Sequence, residues 1–191
     1  MSLSPSESYA AHKGKSKFSK TQKFADSFPF PLDDFQIAGC QALESGKGVL
    51  VAAPTGAGKT IVGEFAVDLA ILSGTKCFYT TPIKALSNQK FSELVTRYGE
   101  SKVGLLTCDT SINSEAQIVV MTTEILRNMI YANSSTIDKL KYVVMDEVHY
   151  LADKFRGAVW EEILIHLPES VQVVSLSATV SNAEEFGEWL Q

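Results

Sequence analysis

The stretch Ala53-Pro54-Thr55-Gly56-Ala57-Gly58-Lys59-Thr60 decides the fold of this chain. It follows the apolar run Val49-Leu50-Val51-Ala52 and precedes a helical pattern, which is the context that a phosphate-binding loop requires. The two glycines let the backbone curl so that its amides point at phosphate oxygens, and the following helix adds its positive dipole end. The sequence therefore predicts a nucleotide site formed by Pro54, Thr55, Gly56, Ala57, Gly58, Lys59 and Thr60.

Two side chains of this loop carry the phosphate chemistry. Lys59 is expected to reach the β- and γ-phosphates of a nucleotide, where its ammonium group compensates their charge. Thr60 is expected to supply its hydroxyl to Mg²⁺. The loop therefore predicts a nucleoside triphosphate and Mg²⁺ as its ligands.

A second stretch, Val143-Val144-Met145-Asp146-Glu147-Val148-His149, ends an apolar run with two adjacent carboxylates. At the carboxyl end of a strand, such carboxylates would face a nucleotide and its magnesium. Asp146 is predicted to hold Mg²⁺ through water, and Glu147 to orient and deprotonate the attacking water. His149 is a candidate sensor of the γ-phosphate. Together, and in this order, the two stretches indicate an ATP-hydrolysing motor domain.

Apolar runs and helical patterns alternate along the chain. Strands are predicted over residues 49–53, 76–81, 102–107, 117–121, 141–146 and 171–176. Helices are predicted from Asp33 or Asp34 to about Glu44, and near 59–73, 84–98, 123–132, 154–166 and 182–190. Because the strands lack period-2 alternation and are separated by helices, the fold is assigned to the α/β class, with a central parallel β-sheet and helices on both faces.

The composition predicts one domain with a basic tail. The chain has 191 residues and a net charge of −5, and no apolar run is long enough to span a membrane. Residues 1–24 are rich in serine and lysine and are predicted to be a disordered basic tail, which leaves 25–191 as the folded domain. That domain is acidic, so a nucleic-acid site on it must be local. Since no signal peptide and no CxxC pair are present, a cytoplasmic protein is expected.

Two other enzyme classes share the phosphate loop. A GTPase should also carry DxxG and NKxD, and neither pattern occurs in the sequence. A small-molecule kinase normally has clustered arginines in its lid, whereas this chain has only Arg97, Arg127 and Arg156. These absences disfavour both classes.

Further motifs complete an order that one helicase superfamily shares. They are the phosphate loop, Thr81-Pro82-Ile83-Lys84-Ala85-Leu86-Ser87-Asn88-Gln89, Thr122-Thr123-Glu124, Asp146-Glu147-Val148-His149 and Ser177-Ala178-Thr179. The sequence resembles the first RecA-like domain of the superfamily 2 DExH-box helicases, whose motifs I, Ia, Ib, II and III these stretches match. Two departures are Ala53, which fits the looser loop of helicases, and Cys108, where a glycine is usual.

The Asp-Glu-Val-His form of motif II and residues 150–162 after it resemble the superkiller-type RNA helicases, which include the exosome-associated enzymes and the actinobacterial HelY proteins. The resemblance covers about residues 28–191 and implies a RecA-like P-loop NTPase domain. In that family Phe30 would stack on adenine and the Gln36 amide would read the edge of the base. ATP is therefore the expected nucleotide.

The resemblance also implies a track for single-stranded nucleic acid. Hydroxyls, amides and helix N-termini would hold successive phosphates without reading bases. The candidate residues are Thr81, Pro82, Lys84, Gln89, Asp109, Thr122, Thr123 and Arg127. Ordinary helix capping explains any one of the threonines as well, and the set as a whole favours the track. Ser177 and Thr179 would couple this track to the Asp146–Glu147 site.

The function expected from these observations is that of the N-terminal ATP-binding domain of an ATP-dependent RNA helicase. Such helicases close two RecA-like domains on ATP, and the second domain, which supplies arginines, is expected to lie beyond Gln191. The isolated chain is therefore expected to be nearly inactive. Single-stranded or partly duplex RNA is the expected partner, with RNA-degradation machinery as a further one. A DNA helicase and a non-hydrolysing ATP- or RNA-binding module are the alternatives.

Overall fold

Six strands of a seven-stranded sheet run parallel in this protein. The computed structural model describes residues 18–132, 134–148 and 157–178. The strands are β1 (Val49–Ala52), β2 (Lys76–Thr81), β3 (Val103–Thr107), β4 (Thr110–Ile112), β5 (Ile118–Thr122), β6 (Leu140–Met145) and β7 (Gln172–Ser177). Their order in the sheet is β1-β7-β6-β2-β5-β3-β4, so six carboxyl ends meet at one edge.

Helices cover both faces of the sheet, as the sequence predicted. They are α1 (Ser19–Ala25), α2 (Asp34–Glu44), α3 (Thr60–Ser73), α4 (Lys84–Tyr98), α5 (Thr123–Tyr131) and α6 (Gly157–His166). The first four helices contribute to one apolar core and the last two to the other. Within the described ranges, no helix is both long and apolar enough to cross a membrane.

The central strands are buried on both faces, which explains their continuous apolar sequence. Along β2, Cys77 and Tyr79 belong to the core under α1–α4, and Phe78 between them belongs to the core under α5 and α6. All three side chains are fully buried. Each strand therefore stabilises two layers at once, and period-2 alternation of polarity is absent.

Gly63 allows α3 to approach the sheet closely. A Cβ atom at this position would lie 3.0 Å from Leu176 and Val144 and 3.5 Å from the Tyr79 ring. Because contacts at 3.0 Å are tighter than ordinary packing, a Cβ atom here would require the Leu176 and Val144 side chains to shift. The helix that follows the phosphate loop is thus fixed against the strands of the site.

The sheet ends in a hairpin that the sequence did not predict. β4 pairs antiparallel with β3, and Thr107 faces Thr110 across a two-residue turn at Cys108 and Asp109. Cys108 is not among the described residues with positive φ, so its backbone does not require the glycine that is usual there. Three residues with partly polar character give too short a pattern to indicate a strand.

The prediction of a disordered tail up to residue 24 was wrong at its C-terminal end. Residues 19–25 form α1, and Thr21 and Phe24 are buried. The Phe24 ring lies 5.0 Å from that of Phe65 on α3, so the helix adds to the main core. The rest of the predicted tail (residues 1–17), the predicted helix over 182–190, His149 and Thr179 lie outside the described residues.

The carboxylate of Glu44, at the end of α2, caps the start of α1. It accepts hydrogen bonds from the backbone N–H groups of Lys20 and Thr21 and from the Thr21 hydroxyl, at 2.7–3.1 Å. Partial burial acts to raise the pKa of the Glu44 carboxyl, but the hydrogen bonds from Thr21 and Lys20 outweigh it, so this pKa lies below its usual value. A carboxylate from α2 thus supplies the N-terminal cap of α1.

Replacing Glu44 by glutamine should reduce the free energy of unfolding at pH 7 by about 1–2 kcal/mol, because a charged acceptor of backbone N–H groups is lost. The pKa of Glu44 is lower in the folded protein than in the unfolded chain, where it is ~4.3. The stabilisation that Glu44 gives is therefore present above this unfolded pKa and is lost as the pH falls through the folded pKa. Urea unfolding should therefore show a full gap between wild type and Glu44→Gln at pH 7 that closes in acid. The matched control is Glu169→Gln at an exposed turn, and a gap that stays constant into acid would contradict the assignment.

Candidate nucleotide and nucleic-acid site

The two predicted nucleotide elements lie at the same edge of the sheet. The phosphate loop follows β1, and Asp146 and Glu147 follow β6. β7 lies between these strands, so β1 and β6 are on the order of 10 Å apart, a distance that a triphosphate and its metal can bridge. Ser177 ends β7 in this gap, where its carbonyl accepts a hydrogen bond from Ala53 N–H at 3.2 Å. The structure thus places Ser177 between the loop and the carboxylates.

The phosphate loop has the backbone that its glycines predict. Gly56 and Gly58 have φ values of 87° and 76°, in the left-handed region that favours glycine. Pro54, Thr55 and Gly56 are exposed, and Thr60 begins α3. Lys59 is only 5% exposed. The loop and the start of α3 present backbone amides at the sheet edge, where an anion would bind.

Gln36 supports the phosphate loop from α2. Its amide Nε2 donates to the carbonyls of Gly58 at 3.0 Å and Ala57 at 3.4 Å, and its Oε1 accepts from Asp33 N–H at 2.8 Å. A Cβ atom at Gly58 would lie 2.6 Å from Nε2, so a side chain there would displace the Gln36 amide from this position. Gln36 is 4% exposed. The sequence did not predict this contact, and the role of Gln36 in reading adenine stays a prediction that uses the remaining lone pair of Oε1.

A ladder of aromatic rings connects the core to the exposed Phe30. Phe65, Phe24, Phe28 and Phe30 follow one another with ring centroids 5.0, 5.1 and 5.5 Å apart. The Arg97 guanidinium lies over the rings of Phe24 and Phe28, at 5.3 and 5.1 Å. Phe30 itself is 51% exposed, so it is not buried as a core residue. Its ring is available as a stacking surface on a rigid support.

Asp146 and Glu147 are held by β2 and by a left-handed turn. Asp146 N–H donates to the Thr80 carbonyl at 2.9 Å, and Asp146 Oδ1 accepts from Glu147 N–H at 2.9 Å. Glu147 has a φ of 56°, which is uncommon for a residue with a side chain. Tyr79 donates its hydroxyl to Asp146 Oδ2 at 2.7 Å, a contact that the sequence did not predict. The sequence signal for it was a tyrosine within a buried strand, where the hydroxyl must find a partner.

The oxygen ligands present here suit Mg²⁺. The Thr60 hydroxyl and the Asp146 carboxylate are hard donors, and Mg²⁺ typically takes one or two protein ligands together with phosphates and water. Asp146 is 9% exposed, and each of its two oxygens accepts from an oriented donor, which fixes its carboxylate directly after β6. In the described part of the chain, no group of three histidine, cysteine or acidic residues forms a separate metal site.

The other half of the sheet edge carries the predicted nucleic-acid residues. Thr81, Thr122 and Thr123, at the ends of β2 and β5, are 2%, 6% and 3% exposed. The Thr81 hydroxyl pairs with Ser87 at 2.7 Å, and the Thr123 hydroxyl donates to the Thr81 carbonyl at 3.2 Å. Pro82 is also buried. The hydroxyls of Thr81 and Thr123 therefore hold the loops together, which differs from the predicted direct contact with phosphate.

Thr122 differs from the other two threonines. It is the N-cap residue of α5, and its buried hydroxyl has no hydrogen-bond partner among the described residues. Buried hydroxyls are almost always paired, so this one is an exception, but its oxygen is not accessible to a ligand at the surface. The backbone N–H groups at the start of α5 are the part of this position that favours an anion.

Lys84, Gln89, Asp109 and Arg127 lie at or near the surface. The Lys84 ammonium pairs with the Asp109 carboxylate, and hydrogen bonds from Lys84 and then Thr107 lower the pKa of Asp109. Gln89 donates to Glu93 at 2.9 Å. Arg127 lies 3.8 Å from a Glu162 oxygen, and its guanidinium donates a hydrogen bond to the side-chain oxygen of Asn128. Because exposed ion pairs contribute little, Lys84 can exchange Asp109 for a phosphate at small cost.

Comparison with known proteins agrees with this arrangement. The family described as DEAD/DEAH box helicase matches residues 33–186. The chain is 63% identical over 175 residues to a probable helicase HelY of Mycobacterium tuberculosis (strain CDC 1551 / Oshkosh), covering 92% of this chain and 19% of that protein. It is 46% identical over 168 residues to the exosome RNA helicase MTR4 of Mus musculus, covering 88% of this chain and 16% of that protein. The chain thus spans less than a fifth of the length of these relatives.

A solved structure supports the fold. The DUF1998 helicase MrfA, in a crystal with DNA and AMPPNP, superimposes with a TM-score of 0.72 at 23% identity, covering 91% of this chain and 27% of that one. The similarity to HelY and MTR4 confirms the predicted resemblance to the superkiller-type helicases. The chain belongs to the DEAD/DEAH box helicase family.

Proposed function

We propose that this chain is the ATP-binding domain of an ATP-dependent RNA helicase, which couples ATP hydrolysis to translocation on single-stranded RNA and to duplex unwinding. The observation that carries the proposal is the order of the strands. The phosphate loop follows β1, the Asp146–Glu147 pair follows β6, and β7 with Ser177 lies between these strands, which supports a shared nucleotide site. The candidate nucleic-acid residues follow the adjacent strands β2, β5 and β3.

In this proposal the chain binds ATP through the loop amides, Lys59 and the aromatic surface of Phe30. Lys59 compensates the charge of the β- and γ-phosphates, and Thr60 and Asp146 hold Mg²⁺, which when bound neutralises charge on the transferring phosphate. Glu147 orients the attacking water and accepts its proton. His149, as a sensor of the γ-phosphate, is part of the same proposal.

The proposed nucleic-acid contacts are to the backbone of one strand. Lys84 supplies a cation, and the backbone N–H groups at the N-terminus of α5 supply donors for a phosphate. Gln89 and Asp109 are exposed, and Arg127 is partly exposed. The net charge of −5 is consistent with a local track rather than binding through bulk charge.

RNA is proposed as the substrate because the relative MTR4 is named an exosome RNA helicase. On the same basis, RNA-degradation machinery is a proposed partner. The cytoplasm stays a prediction made from the sequence alone. The alternative of a DNA helicase is favoured by one observation, that the structural neighbour was crystallised with DNA. A non-hydrolysing binding module is disfavoured by Glu147, since pure binding needs no water-activating carboxylate.

A complete active site is proposed to need a second RecA-like domain. The relatives are more than five times as long as the matched region, so they have room for that domain. Arginines from such a domain stabilise the charge of the transferring phosphate, an effect worth about 10³–10⁵ in rate where such a residue acts. This chain would therefore supply half of the ATP pocket and half of the RNA track.

Lys59→Ala and Glu147→Gln should abolish ATP turnover for different reasons, measured in the longer protein that contains the second domain. Lys59→Ala removes charge compensation and should weaken ATP binding, whereas Glu147→Gln removes the base and should leave binding within about twofold. ATP affinity and steady-state hydrolysis separate the two effects. Lys47→Ala, at an exposed position after α2, is the control. Normal turnover in the Glu147→Gln protein would refute the role of Glu147.

Adenine selectivity should depend on Phe30 and Gln36. Phe30→Ala should weaken binding of both ATP and GTP, because it removes a stacking surface. Gln36→Ala should weaken ATP binding more than GTP binding, because it leaves the polar edge of adenine without its hydrogen-bond partner. Competition of ATP and GTP for a fluorescent nucleotide measures both effects on the 191-residue chain. Tyr131→Ala, an exposed aromatic at the end of α5, is the matched control for Phe30→Ala. An unchanged ATP-to-GTP ratio in Gln36→Ala would make the adenine assignment wrong.

The 191-residue chain should bind nucleotide weakly and should neither unwind a duplex nor show strong hydrolysis stimulated by RNA. The reason is geometric, since the arginines and half of the track would belong to the second domain. Steady-state ATPase with saturating single-stranded RNA, beside the same assay on the longer protein, tests this expectation. Single-stranded DNA in a parallel assay separates the RNA proposal from its DNA alternative. Comparable rates from the two proteins would show that this chain carries a complete site.

A further inference from the structure

A buried hydrogen bond joins the nucleotide half of the sheet edge to the neighbouring strand. Tyr79 of β2 donates to Asp146 Oδ2 at 2.7 Å, between residues 67 positions apart. Tyr79 is fully buried and Asp146 is 9% exposed. The other oxygen, Oδ1, accepts from the N–H of Glu147 at 2.9 Å. Each oxygen of the carboxylate therefore has an oriented donor, which fixes the plane of the group.

The Tyr79 side chain is itself held rigidly. Its ring packs against Gly63 of α3, where a Cβ atom would be 3.5 Å away, and the Lys90 ammonium of α4 lies 5.4 Å from the ring centroid. Lys90 is kept there by ion pairs with Glu64 at 3.7 Å and Glu93 at 2.6 Å. The fully buried ring is therefore enclosed between α3 and the Lys90 side chain of α4, and its hydroxyl is directed at Asp146.

The hydroxyl can act only as the donor in this contact. An ionised carboxylate has no proton to donate, so the phenolic O–H of Tyr79 supplies the hydrogen to Asp146 Oδ2 at 2.7 Å. A protonated phenol beside a carboxylate makes a charge-assisted hydrogen bond, which is stronger than a neutral one. The Asp146 carboxylate thus has its orientation set by a group that does not itself reach the nucleotide.

We propose that Tyr79 is a positioning residue of the magnesium–nucleotide site, which acts by holding the Asp146 carboxylate in the orientation that receives Mg²⁺ and its water. The inference rests on the proposed function, since it needs Asp146 to serve that cation. Partners that orient a metal-binding carboxylate typically change metal affinity by 10–100-fold. Without this donor, the Asp146 carboxylate can rotate more freely about χ2, the terminal torsion of aspartate, because the distribution of this angle is broad.

Tyr79→Phe tests the proposal because it keeps the ring and removes only the hydroxyl. The 191-residue chain is mixed with a fluorescent ATP analogue and titrated with Mg²⁺. The Mg²⁺ concentration for half-maximal nucleotide binding should rise about tenfold in Tyr79→Phe, whereas binding in the presence of a chelator should be unchanged. Electron paramagnetic resonance with Mn²⁺ as the probe should show a similar loss of metal affinity, independently of any hydrolysis.

Two controls separate positioning from a general effect on packing. Tyr142→Phe makes the same change at a buried tyrosine of β6, which is 7% exposed, and should leave the Mg²⁺ midpoint unchanged. In an Asp146→Asn background, Tyr79→Phe should add no further shift, since the group through which it acts has been altered.

Two results would overturn the inference. The first is a Mg²⁺ midpoint in Tyr79→Phe that lies within twofold of the wild-type midpoint. The second is that Tyr79→Phe shifts the Mg²⁺ midpoint as much in the Asp146→Asn background as it does in the wild-type background. Either result leaves the proposed function standing, because wild type still binds the nucleotide with Mg²⁺. A wild-type chain that binds no nucleotide at any Mg²⁺ concentration would overturn the proposed function and the inference together.

Discussion

Parallel pairing of β6 with β7 on one side and with β2 on the other is the constraint on which the site depends. Because six parallel strands end at one edge, chemistry from distant parts of the sequence meets there. The edge divides at the boundary between β6 and β2, with nucleotide residues on one side and candidate nucleic-acid residues on the other. β2 touches both halves, since Thr80 accepts from Asp146 N–H and Thr81 accepts from the Thr123 hydroxyl. A shift of the C-terminal end of β2 would therefore alter hydrogen bonds in both the nucleotide half and the candidate nucleic-acid half of the edge.

Glu147 shows the cost of turning the chain at this edge. A side chain at φ 56° is strained by on the order of 1–2 kcal/mol relative to ordinary backbone. Hydrogen bonds of Asp146 N–H to Thr80 and of Glu147 N–H to Asp146 offset that strain at the same position. Glycine would remove the strain and also the carboxylate. The strained geometry is therefore consistent with selection for the side chain rather than for the turn.

Much of the fold and the local motifs could be predicted from the sequence. The phosphate loop (residues 53–60) is one continuous stretch of sequence, and the two carboxylates at 146 and 147 are adjacent. The chemistry of each could therefore be predicted from the sequence alone. The strand order, by contrast, depends on which strands pair across the chain, and no local pattern specifies it.

The remaining features depend on contacts between distant residues. The Tyr79–Asp146 bond joins positions 67 apart, and the capping of α1 joins Glu44 to Thr21, 23 positions away. The burial of Thr81 and Thr123 could not be predicted either. A threonine after a strand can bind a ligand at the surface or form a hydrogen bond inside the protein, and the sequence does not distinguish the two. α1 was missed because a short helix rich in lysine depends on packing and on a distant carboxylate.

The aromatic ladder has a consequence for where this domain begins. The family match starts at residue 33, after Phe24, Phe28 and Phe30. A protein cut at that boundary would keep every matched motif, yet it would uncover the fully buried Phe65 and remove two rings that lie beneath Arg97. The unit that folds is therefore longer than the unit that the family model matches. Expression boundaries for such domains are better drawn from buried aromatic contacts than from the edge of a family match.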